Sequence, residues 1–237
     1  MEGRALKALV ITGASSGIGA ATARRFAADG YRVVNLSRRP SPVDGVHSVA
    51  VDLGATDWTE TAAAELSEQL PRGAELVVIH NAARLTGDDV QTLSPDDFRA
   101  VLEVNVTAPL LLNQLCLPYM ASGSAIVYVG STLSEKAVAG AAAYVTSKHA
   151  LAGLMRATCQ DLAGRGIHTA LVCPGFTNTE MLRAHLADPD VLQAVGGNNA
   201  FSRLVDPDEV AATLFFAATN PVVNGSVIHA NLGQIER

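Results

Sequence analysis

The sequence has few cysteines and a shortage of positive charge. Its 237 residues include 3 cysteines, Cys116, Cys159 and Cys173, and its formal net charge is -6. An odd number of widely separated cysteines matches neither a disulfide framework nor a Cys-x-x-Cys pair, so they are predicted to be small core residues of a reduced, cytoplasmic protein. The negative charge disfavours nucleic acid as the principal partner.

Long apolar runs and metal-ligand spacings are also missing. The run Ala8–Ile11 is too short for the core of a signal peptide, and no stretch approaches the ~20 apolar residues of a membrane span. No pattern such as His-Glu-x-x-His occurs, which predicts no catalytic metal. Without linkers, repeats or low-complexity tracts, residues 1–237 are expected to form one domain with no membrane partner.

Short apolar runs alternate with helical patterns along the whole chain. Several runs are unbroken in Val, Ile and Leu, which is typical of parallel strands buried on both faces. Helix starts are predicted at Ser94-Pro95-Asp96-Asp97 and Asp206-Pro207-Asp208-Glu209, where a capping residue precedes a proline. The alternation predicts an α/β fold, with a doubly wound, Rossmann-type, mostly parallel seven-stranded sheet and helices on both faces. The predicted strands are Ala8–Ile11, Tyr31–Leu36, Val46–Val51, Leu76–His80, Ala125–Val129, His168–Cys173 and Ser226–Ala230.

Three glycines follow the first predicted strand with the spacing Gly-x-x-x-Gly-x-Gly, and a helical pattern begins at once. Gly13 suits a tight turn, Gly17 allows the backbone to approach a pyrophosphate, and Gly19 allows the helix to pack closely on the sheet. The helix N-terminus would offer free N–H groups to phosphates. A glycine-rich turn without a ligand is the alternative.

The second predicted strand ends in Ser37-Arg38-Arg39. Enzymes that favour NAD usually carry Asp or Glu here, whereas a guanidinium suits the 2′-phosphate of NADP. NADP(H) is therefore predicted over NAD(H), the alternative being that both arginines are ordinary surface charges. Asp52, after the third strand, is either a partner of the adenine amino group or a helix cap.

Tyr144 and Lys148 are four residues apart in a predicted helix, so they share one face. A nearby ammonium is expected to lower the pKa of the phenol from its ordinary ~10, which would suit general acid–base catalysis. Ser131, just after the fifth strand, could hydrogen-bond a substrate oxygen. Taken singly, structural roles are favoured: a core aromatic for Tyr144, a solvated charge for Lys148 and, for Asn105, a polar residue bonded to a helix carbonyl.

Together these motifs resemble the classical short-chain dehydrogenase/reductase family. The matching residues, in family order, are Thr12-Gly13-x-x-x-Gly17-Ile18-Gly19, His80-Asn81-Ala82-Ala83, Asn105, Ser131, Tyr144-x-x-x-Lys148 and Pro174-Gly175 with Thr179. The resemblance implies NADPH-dependent reduction of a ketone or aldehyde, in which Tyr144 gives a proton to the carbonyl oxygen that Ser131 positions. It also implies that Lys148 binds the nicotinamide ribose. Asn105, in a helix running from about Phe98, would hold a water of the proton relay.

The resemblance further implies a set of cofactor-binding residues. Asn81 and its neighbours would line the adenosine side, and Thr179 would meet the nicotinamide carboxamide. The implied set is Gly13, Ser15, Ser16, Gly17, Ile18, Gly19, Ser37, Arg38, Asp52, Leu53, Asn81, Ala82, Tyr144, Lys148, Pro174, Gly175, Thr177 and Thr179. A homotetramer or homodimer through the helices bearing Asn105 and Tyr144 is also implied.

The chain departs from the family pattern at three positions. His80 stands where Asn is usual, Ala83 where Gly is usual, and Leu232 replaces one of a pair of glycines. A hydrogen-bonded structural role is predicted for His80 in preference to that of a catalytic base. Alanine at position 83 adds a methyl group where the backbone is expected to lie close to the cofactor, so affinity is expected to be altered rather than lost.

The segment 177–203 is predicted to select the substrate. It is apolar and contains Gly196-Gly197-Asn198-Asn199, so it is interpreted either as a lid with a flexible tract or as a surface helix and loop. The expected substrate is a small, largely apolar ketone, aldehyde or secondary alcohol. Oxidation of an alcohol with NAD(P)+ is the alternative reaction. A non-catalytic dinucleotide-binding regulator is a further alternative, although such a protein would be expected to lack Tyr144 or Lys148.

Overall fold

The computed structural model of the chain describes residues 7–186 and 188–235. Seven strands form a single sheet in the order β3-β2-β1-β4-β5-β6-β7, and every neighbouring pair is parallel. The predicted Rossmann-type sheet is thereby confirmed. The strands are β1 Lys7–Thr12, β2 Arg32–Ser37, β3 His47–Ala50, β4 Glu75–His80, β5 Ala125–Val129, β6 His168–Pro174 and β7 Ser226–Ala230.

Both predicted helix starts are confirmed. The Ser94 hydroxyl accepts a hydrogen bond from the Asp97 N–H at 3.1 Å, and Asp206 forms a reciprocal capping box with Glu209. These local bonds satisfy N–H groups that would otherwise lack a partner in the first helical turn. The helices are α1 Gly17–Ala28, α2 Trp58–Gln69, α3 Pro95–Leu102, α4 Ala108–Cys116, α5 Ala142–Asp161, α6 Glu180–His185, α7 Pro189–Gly196 and α8 Pro207–Thr219.

The sheet is covered by helices on both faces. Along β1, Ala8 and Val10 pack into one apolar core, which includes side chains of α2, α4 and α5. Leu9 and Ile11 pack into the other core, which includes side chains of α1 and α8. Burial on both sides explains why the strands are unbroken apolar runs rather than alternating ones.

The helix predicted from about Phe98 differs in its bounds and its form. It begins at Pro95, and between α3 and α4 the chain makes one wide π-helical turn, Glu103–Thr107, that contains the buried Asn105. A π turn holds one more residue than an α turn and is often found at functional sites.

The strand order reverses between β1 and β4, which opens a crevice at the carboxyl ends of these strands. The glycine loop follows β1, Arg38 follows β2, Asn81 follows β4 and Ser131 follows β5, so all four lie at this edge of the sheet. In the part of the chain that the structure describes, no helix is both long and apolar enough to cross a bilayer.

Candidate active site

Two glycines of the loop after β1 have the conformational roles predicted from the sequence. Gly13 turns the chain with a φ of +73°, and its N–H donates to the Leu36 carbonyl at 3.0 Å. A Cβ at Gly19 would lie 2.2 Å from the Gly13 carbonyl oxygen and 2.6 Å from the Asn81 amide nitrogen. Any side chain at Gly19 would therefore push α1 away from the sheet.

Polar side chains of the neighbouring strands hold the loop in place. Asn35 lies within β2, and its side-chain oxygen accepts a hydrogen bond from the Ala14 N–H at 2.9 Å. The Asn81 amide donates to the carbonyl oxygens of Thr12 at 2.9 Å and of Gly13 at 3.1 Å. The side chain of Asn81 is thus used to hold the loop. Asn35 is not among the residues predicted from the sequence, although a lone polar residue inside an apolar strand is a signal for such a role.

The start of α1 fits the phosphates of a dinucleotide. Ser16 precedes the helix in an extended conformation, and among the described residues its side chain finds no N–H group to cap. The N–H groups of the first turn therefore remain available to an anion. Gly17 has a φ of +52°, and a Cβ there would lie 3.0 Å from the Thr179 methyl group, so the opposite wall of the crevice meets the loop at this point.

Beyond β2 and β3, the end of the crevice that is predicted to receive the adenosine is exposed. Arg38 is exposed, and the Ser37 hydroxyl donates to the Arg39 carbonyl at 2.5 Å. The Asp52 carboxylate accepts from the Gly54 N–H at 3.0 Å and so closes a local turn, whereas α2 begins after Asp57. The helix-cap alternative for Asp52 was therefore wrong. The side chain of Leu53 lies in the core.

At the reaction end, Tyr144 lies in the first turn of α5 and is half-buried. Burial raises the pKa of its phenol to about 12, an effect that the hydrogen bond to Ser131 opposes. The expectation that Lys148 lowers this pKa was wrong, because the loss of hydration disfavours the phenolate and the group that opposes this effect is Ser131, not Lys148.

Lys148 lies one turn further along α5 and is almost completely buried. Its ammonium donates to the Val129 carbonyl at the end of β5 at 2.8 Å, and Nζ lies 5.4 Å from the centre of the Tyr144 ring. Burial lowers the pKa of Lys148 to about 8. The lysine is therefore directed at the strand carbonyl and close to, but not bonded to, the phenol.

Asn105 joins the π turn to α5. Its side-chain oxygen accepts from the Arg84 N–H at 2.7 Å, and its amide donates to the Arg84 carbonyl at 3.0 Å and to the Ser147 hydroxyl at 2.9 Å. Ser147 in turn donates to the Tyr144 carbonyl at 2.7 Å. Asn105 thus fixes the first turns of α5 relative to the chain after β4. Ser147 makes this link possible, and it is not among the residues predicted from the sequence.

Ser131 is set by a tight turn at the end of β5. Its N–H donates to the Ser134 hydroxyl, and its own hydroxyl accepts from the Leu133 N–H, both at 3.1 Å. A Cβ on the preceding Gly130 would lie 2.8 Å from the Cys173 sulfur.

Cys173 and Cys116 are buried and Cys159 is half-buried, and all three are free thiols, so the prediction of core cysteines is confirmed for two of them.

The segment after β6 forms the opposite wall. Pro174 ends β6, and the Gly175 N–H donates to the Ala230 carbonyl at 3.1 Å. The buried Thr177 donates to the Gly175 carbonyl at 3.0 Å. Thr179 caps α6 by accepting from the Leu182 N–H at 3.2 Å. These predicted cofactor-binding residues therefore lie at or directly after the carboxyl end of β6, and Thr179 is the one that approaches the glycine loop, at Gly17.

The tract predicted to be flexible is held by hydrogen bonds. The Asn199 amide donates to the carbonyls of Gly196 at 3.0 Å and Arg203 at 2.7 Å, and Asn199 is buried. The apolar side chains of Met181 and Phe201 are exposed. Ala187, within the predicted substrate segment, lies outside the described residues. Leu232, at the position of a usual glycine, adopts a φ of +55°.

His80 has the structural role that was predicted for it. Its Nε2 is 2.8 Å from the Asn113 side-chain oxygen, and Asn113 donates to the Tyr128 hydroxyl at 2.7 Å. The Tyr128 hydroxyl lies 3.0 Å from that of Thr158 on α5. Complete burial lowers the pKa of His80 to about 4, so the ring is neutral at physiological pH.

A shallow cavity of about 220 Å³ adjoins the turn after Ser131. In its lining, Nε2 of His229 lies 3.2 Å from a carboxylate oxygen of Glu135, and the lining also includes Thr132, Lys136 and Asn231. Within residues 7–186 and 188–235, no group of three or more His, Cys, Asp or Glu could hold a metal ion.

Comparison with known proteins agrees with this geometry. The family model described as short chain dehydrogenase matches residues 7–190. The chain belongs to the short-chain dehydrogenase family. It is 33% identical to Protein FixR of Bradyrhizobium diazoefficiens, over 96% of this chain and 86% of that protein. It is 30% identical to meso-2,3-butanediol dehydrogenase of Serratia marcescens, over 96% of this chain and 94% of that protein.

Among solved structures, the ligand-free aldohexose dehydrogenase of Thermoplasma acidophilum matches with a TM-score of 0.89 and 26% identity, over 96% of this chain and 94% of that one. Like other short-chain dehydrogenases, this protein is an NAD(P)-dependent oxidoreductase, and its homologues act on small molecules.

Proposed function

We propose that this short-chain dehydrogenase is an NADPH-dependent carbonyl reductase that uses Tyr144 as its general acid. The observation that carries the proposal is the half-buried phenol of Tyr144, which is hydrogen-bonded to Ser131 and has the buried ammonium of Lys148 one helical turn away. A phenol with a pKa of about 12 is protonated at neutral pH, so Tyr144 is in the form that a general acid requires.

Each residue has a defined task in this reaction. The nicotinamide, when bound, supplies the hydride. Ser131 and Tyr144 hold the carbonyl oxygen of the substrate by hydrogen bonds, and Tyr144 gives it a proton as charge develops there. Lys148 places a positive charge beside the resulting phenolate. Asn105 positions α5, and its contribution to a water-mediated proton relay is part of the proposal.

The cofactor preference is proposed from the adenosine end of the crevice. Ser37 stands where a carboxylate would repel a 2′-phosphate, and the exposed guanidinium of Arg38 follows it. The loop residues Gly13 to Gly19, with Thr177 and Thr179 on the opposite wall, are proposed to hold the remainder of the dinucleotide. NADP(H) is therefore proposed over NAD(H).

Three further features belong to this proposal. The chain is one domain in which the segment 177–203 selects a ketone or aldehyde. The helices bearing Asn105 and Tyr144 join identical subunits into a dimer or tetramer, which light scattering on the purified protein would detect or refute. The free thiols are consistent with a cytoplasmic location.

The decisive test is the variant Tyr144→Phe, which removes one hydroxyl and retains the ring. A panel of ketones and aldehydes is monitored by loss of NADPH absorbance, and NADPH binding is measured separately. Turnover is expected to fall at least ~100-fold, because general acid catalysis contributes this much or more, with binding unchanged. Tyr119→Phe, which removes a hydroxyl from another half-buried tyrosine, is the matched control. A Tyr144→Phe variant with near-normal turnover would refute the proposal.

A further inference from the structure

An ion pair crosses the mouth of the crevice. The guanidinium of Arg39, two residues beyond β2, lies 3.1 Å from the carboxylate of Glu180, the first residue of α6. The two residues are 141 positions apart in the sequence, and their side chains are 65% and 61% exposed. The pair therefore connects the adenosine end of the crevice to the wall that follows β6.

A second contact joins the same two walls nearby. Thr179, which directly precedes Glu180, has its methyl group 3.0 Å from the position of a Cβ on Gly17. The beginning of α6 thus contacts the glycine loop and brings the Glu180 carboxylate to the edge of that loop. The carboxylate that pairs with Arg39 therefore belongs to the wall of the crevice opposite to β2.

We infer that Arg39 joins Arg38 in binding the 2′-phosphate of NADP(H), and that Glu180 is a specificity-determining residue for the cofactor because its carboxylate competes with that phosphate for the guanidinium of Arg39. The inference rests on the proposed preference for NADP(H), and it adds a residue on the far wall that weakens that preference. Carboxylate and phosphate both bind a guanidinium through paired, charge-assisted hydrogen bonds, so one guanidinium edge serves one of them at a time. NAD(H), which lacks the 2′-phosphate, does not enter this competition.

The size of the effect follows from exposure. An exposed ion pair contributes little to stability, so breaking it should change an affinity by about threefold. Glu180→Gln keeps the shape of the side chain and removes its charge. The dissociation constant of NADPH is expected to fall about threefold in this variant, while that of NADH changes much less. The ratio of the two constants separates competition for Arg39 from a general repulsion between Glu180 and the cofactor phosphates.

The experiment measures the dissociation constants of NADPH and NADH by fluorescence titration for the wild type, Glu180→Gln, Arg39→Gln and the double variant. Arg39→Gln is expected to weaken NADPH binding selectively, and Glu180→Gln is expected to have no further effect on the ratio in that background. Asp208→Asn is the matched control, because it breaks the exposed Arg24–Asp208 pair, 3.2 Å long, which joins α1 to α8. It should leave the ratio unchanged.

The outcomes separate this inference from the proposal on which it rests. If the wild type prefers NADPH and Arg38→Gln removes the preference, but Glu180→Gln and Arg39→Gln leave the ratio unchanged, the inference fails alone. If the wild type binds both cofactors equally, the proposed cofactor preference fails. If Glu180→Gln weakens NADPH binding selectively, Glu180 orients Arg39 for the phosphate, which also overturns the competition.

Discussion

The two ends of the crevice hold their charged side chains in opposite ways. At the end with the proposed catalytic residues, Lys148 is 2% exposed and its ammonium is bonded to a strand carbonyl, with the side chain of Tyr144 beside it. At the adenosine end, Arg39 and Glu180 are mostly exposed and are bonded to each other. A buried charge has lost its hydration and is strongly constrained, whereas an exposed pair can exchange partners at little cost.

In the proposed function, this difference separates residues that enable the reaction from residues that adjust the cofactor preference. Removal of a buried polar group should change turnover or folding by a large amount, because its environment has no substitute for it. Removal of an exposed charge should change the ratio of the dissociation constants of NADPH and NADH, or lower the free energy of unfolding by a small amount. The three predictions that follow examine the difference, beginning with the largest effect.

Lys148→Met should separate activity from stability. Turnover is expected to fall at least ~100-fold, since the charge beside Tyr144 is lost. Burial lowers the pKa of Lys148 from 10.5 to about 8, so the protein loses stability as the pH falls from 10.5 to 8 and the unfolded state takes up the proton first. At pH 7 this penalty is on the order of 3 kcal/mol, which exceeds the lost bond to Val129.

The variant should therefore unfold at an equal or higher temperature than the wild type at pH 7, as followed by circular dichroism. Arg156→Met, on the exposed side of the same helix, is the matched control and should change neither property. Loss of about 2 kcal/mol or more of stability in Lys148→Met would show that the ammonium is a net stabilising group, contrary to the prediction.

His80 should make the fold sensitive to acid. Its pKa is lowered from 6.5 to about 4, so in acid the unfolded chain binds a proton that the folded protein excludes. Stability is fully present above pH 6.5 and falls by up to about 3 kcal/mol as the pH drops to 4. Urea unfolding at pH 7.5 and pH 4.5 measures the loss. His80→Asn should reduce it, and the exposed His149→Asn should not. An equal loss in wild type and His80→Asn would contradict this account.

Glu209 should give the smallest effect. Its carboxylate pairs with Arg203 at 2.6 Å and also accepts from the Asp206 N–H at 2.9 Å, which completes the capping box of α8. Glu209→Ala should lower the urea midpoint by the equivalent of about 1 kcal/mol, and Glu209→Gln by less, because Gln keeps the cap and loses only an exposed ion pair.

The contribution of Glu209 also depends on pH, but here the folded protein favours the charged form of the side chain, whereas at His80 it favours the neutral form. The hydrogen bond to Arg203 lowers the pKa of Glu209 from 4.5 to about 2. Its contribution is present above pH 4.5 and is lost as the pH falls towards 2. An Ala variant that differs from the wild type equally at pH 7 and pH 2 would show that the charge of Glu209 contributes nothing.

The features predicted correctly from the sequence are those encoded within a few residues. Apolar β-branched runs located the strands, and the Ser94 and Asp206 caps located two helix starts, because the interacting atoms are neighbours in the chain. The loop glycines were interpretable because backbone conformation is a local property.

The features that were missed depend on partners far apart in the sequence. Asn105 meets an arginine backbone 21 residues away and a serine 42 residues away, and the π turn that allows both contacts has no local signal. The pKa of Tyr144 depends on how completely the surrounding elements exclude water, which spacing alone does not reveal. The prediction that Lys148 lies close to Tyr144 was therefore correct, but the predicted lowering of the pKa of Tyr144 was wrong.

The wide turn at Glu103–Thr107 makes this site vulnerable to a change of length rather than of chemistry. Deletion of a single residue there would allow α3 and α4 to merge into one regular helix, since the surplus residue is what interrupts it. Everything on one side of the deletion would then rotate by about 100° relative to the other, and the carboxamide of Asn105 would turn away from Arg84 and Ser147. Homologous chains should consequently accept substitutions in this stretch at positions other than 105 but no shortening.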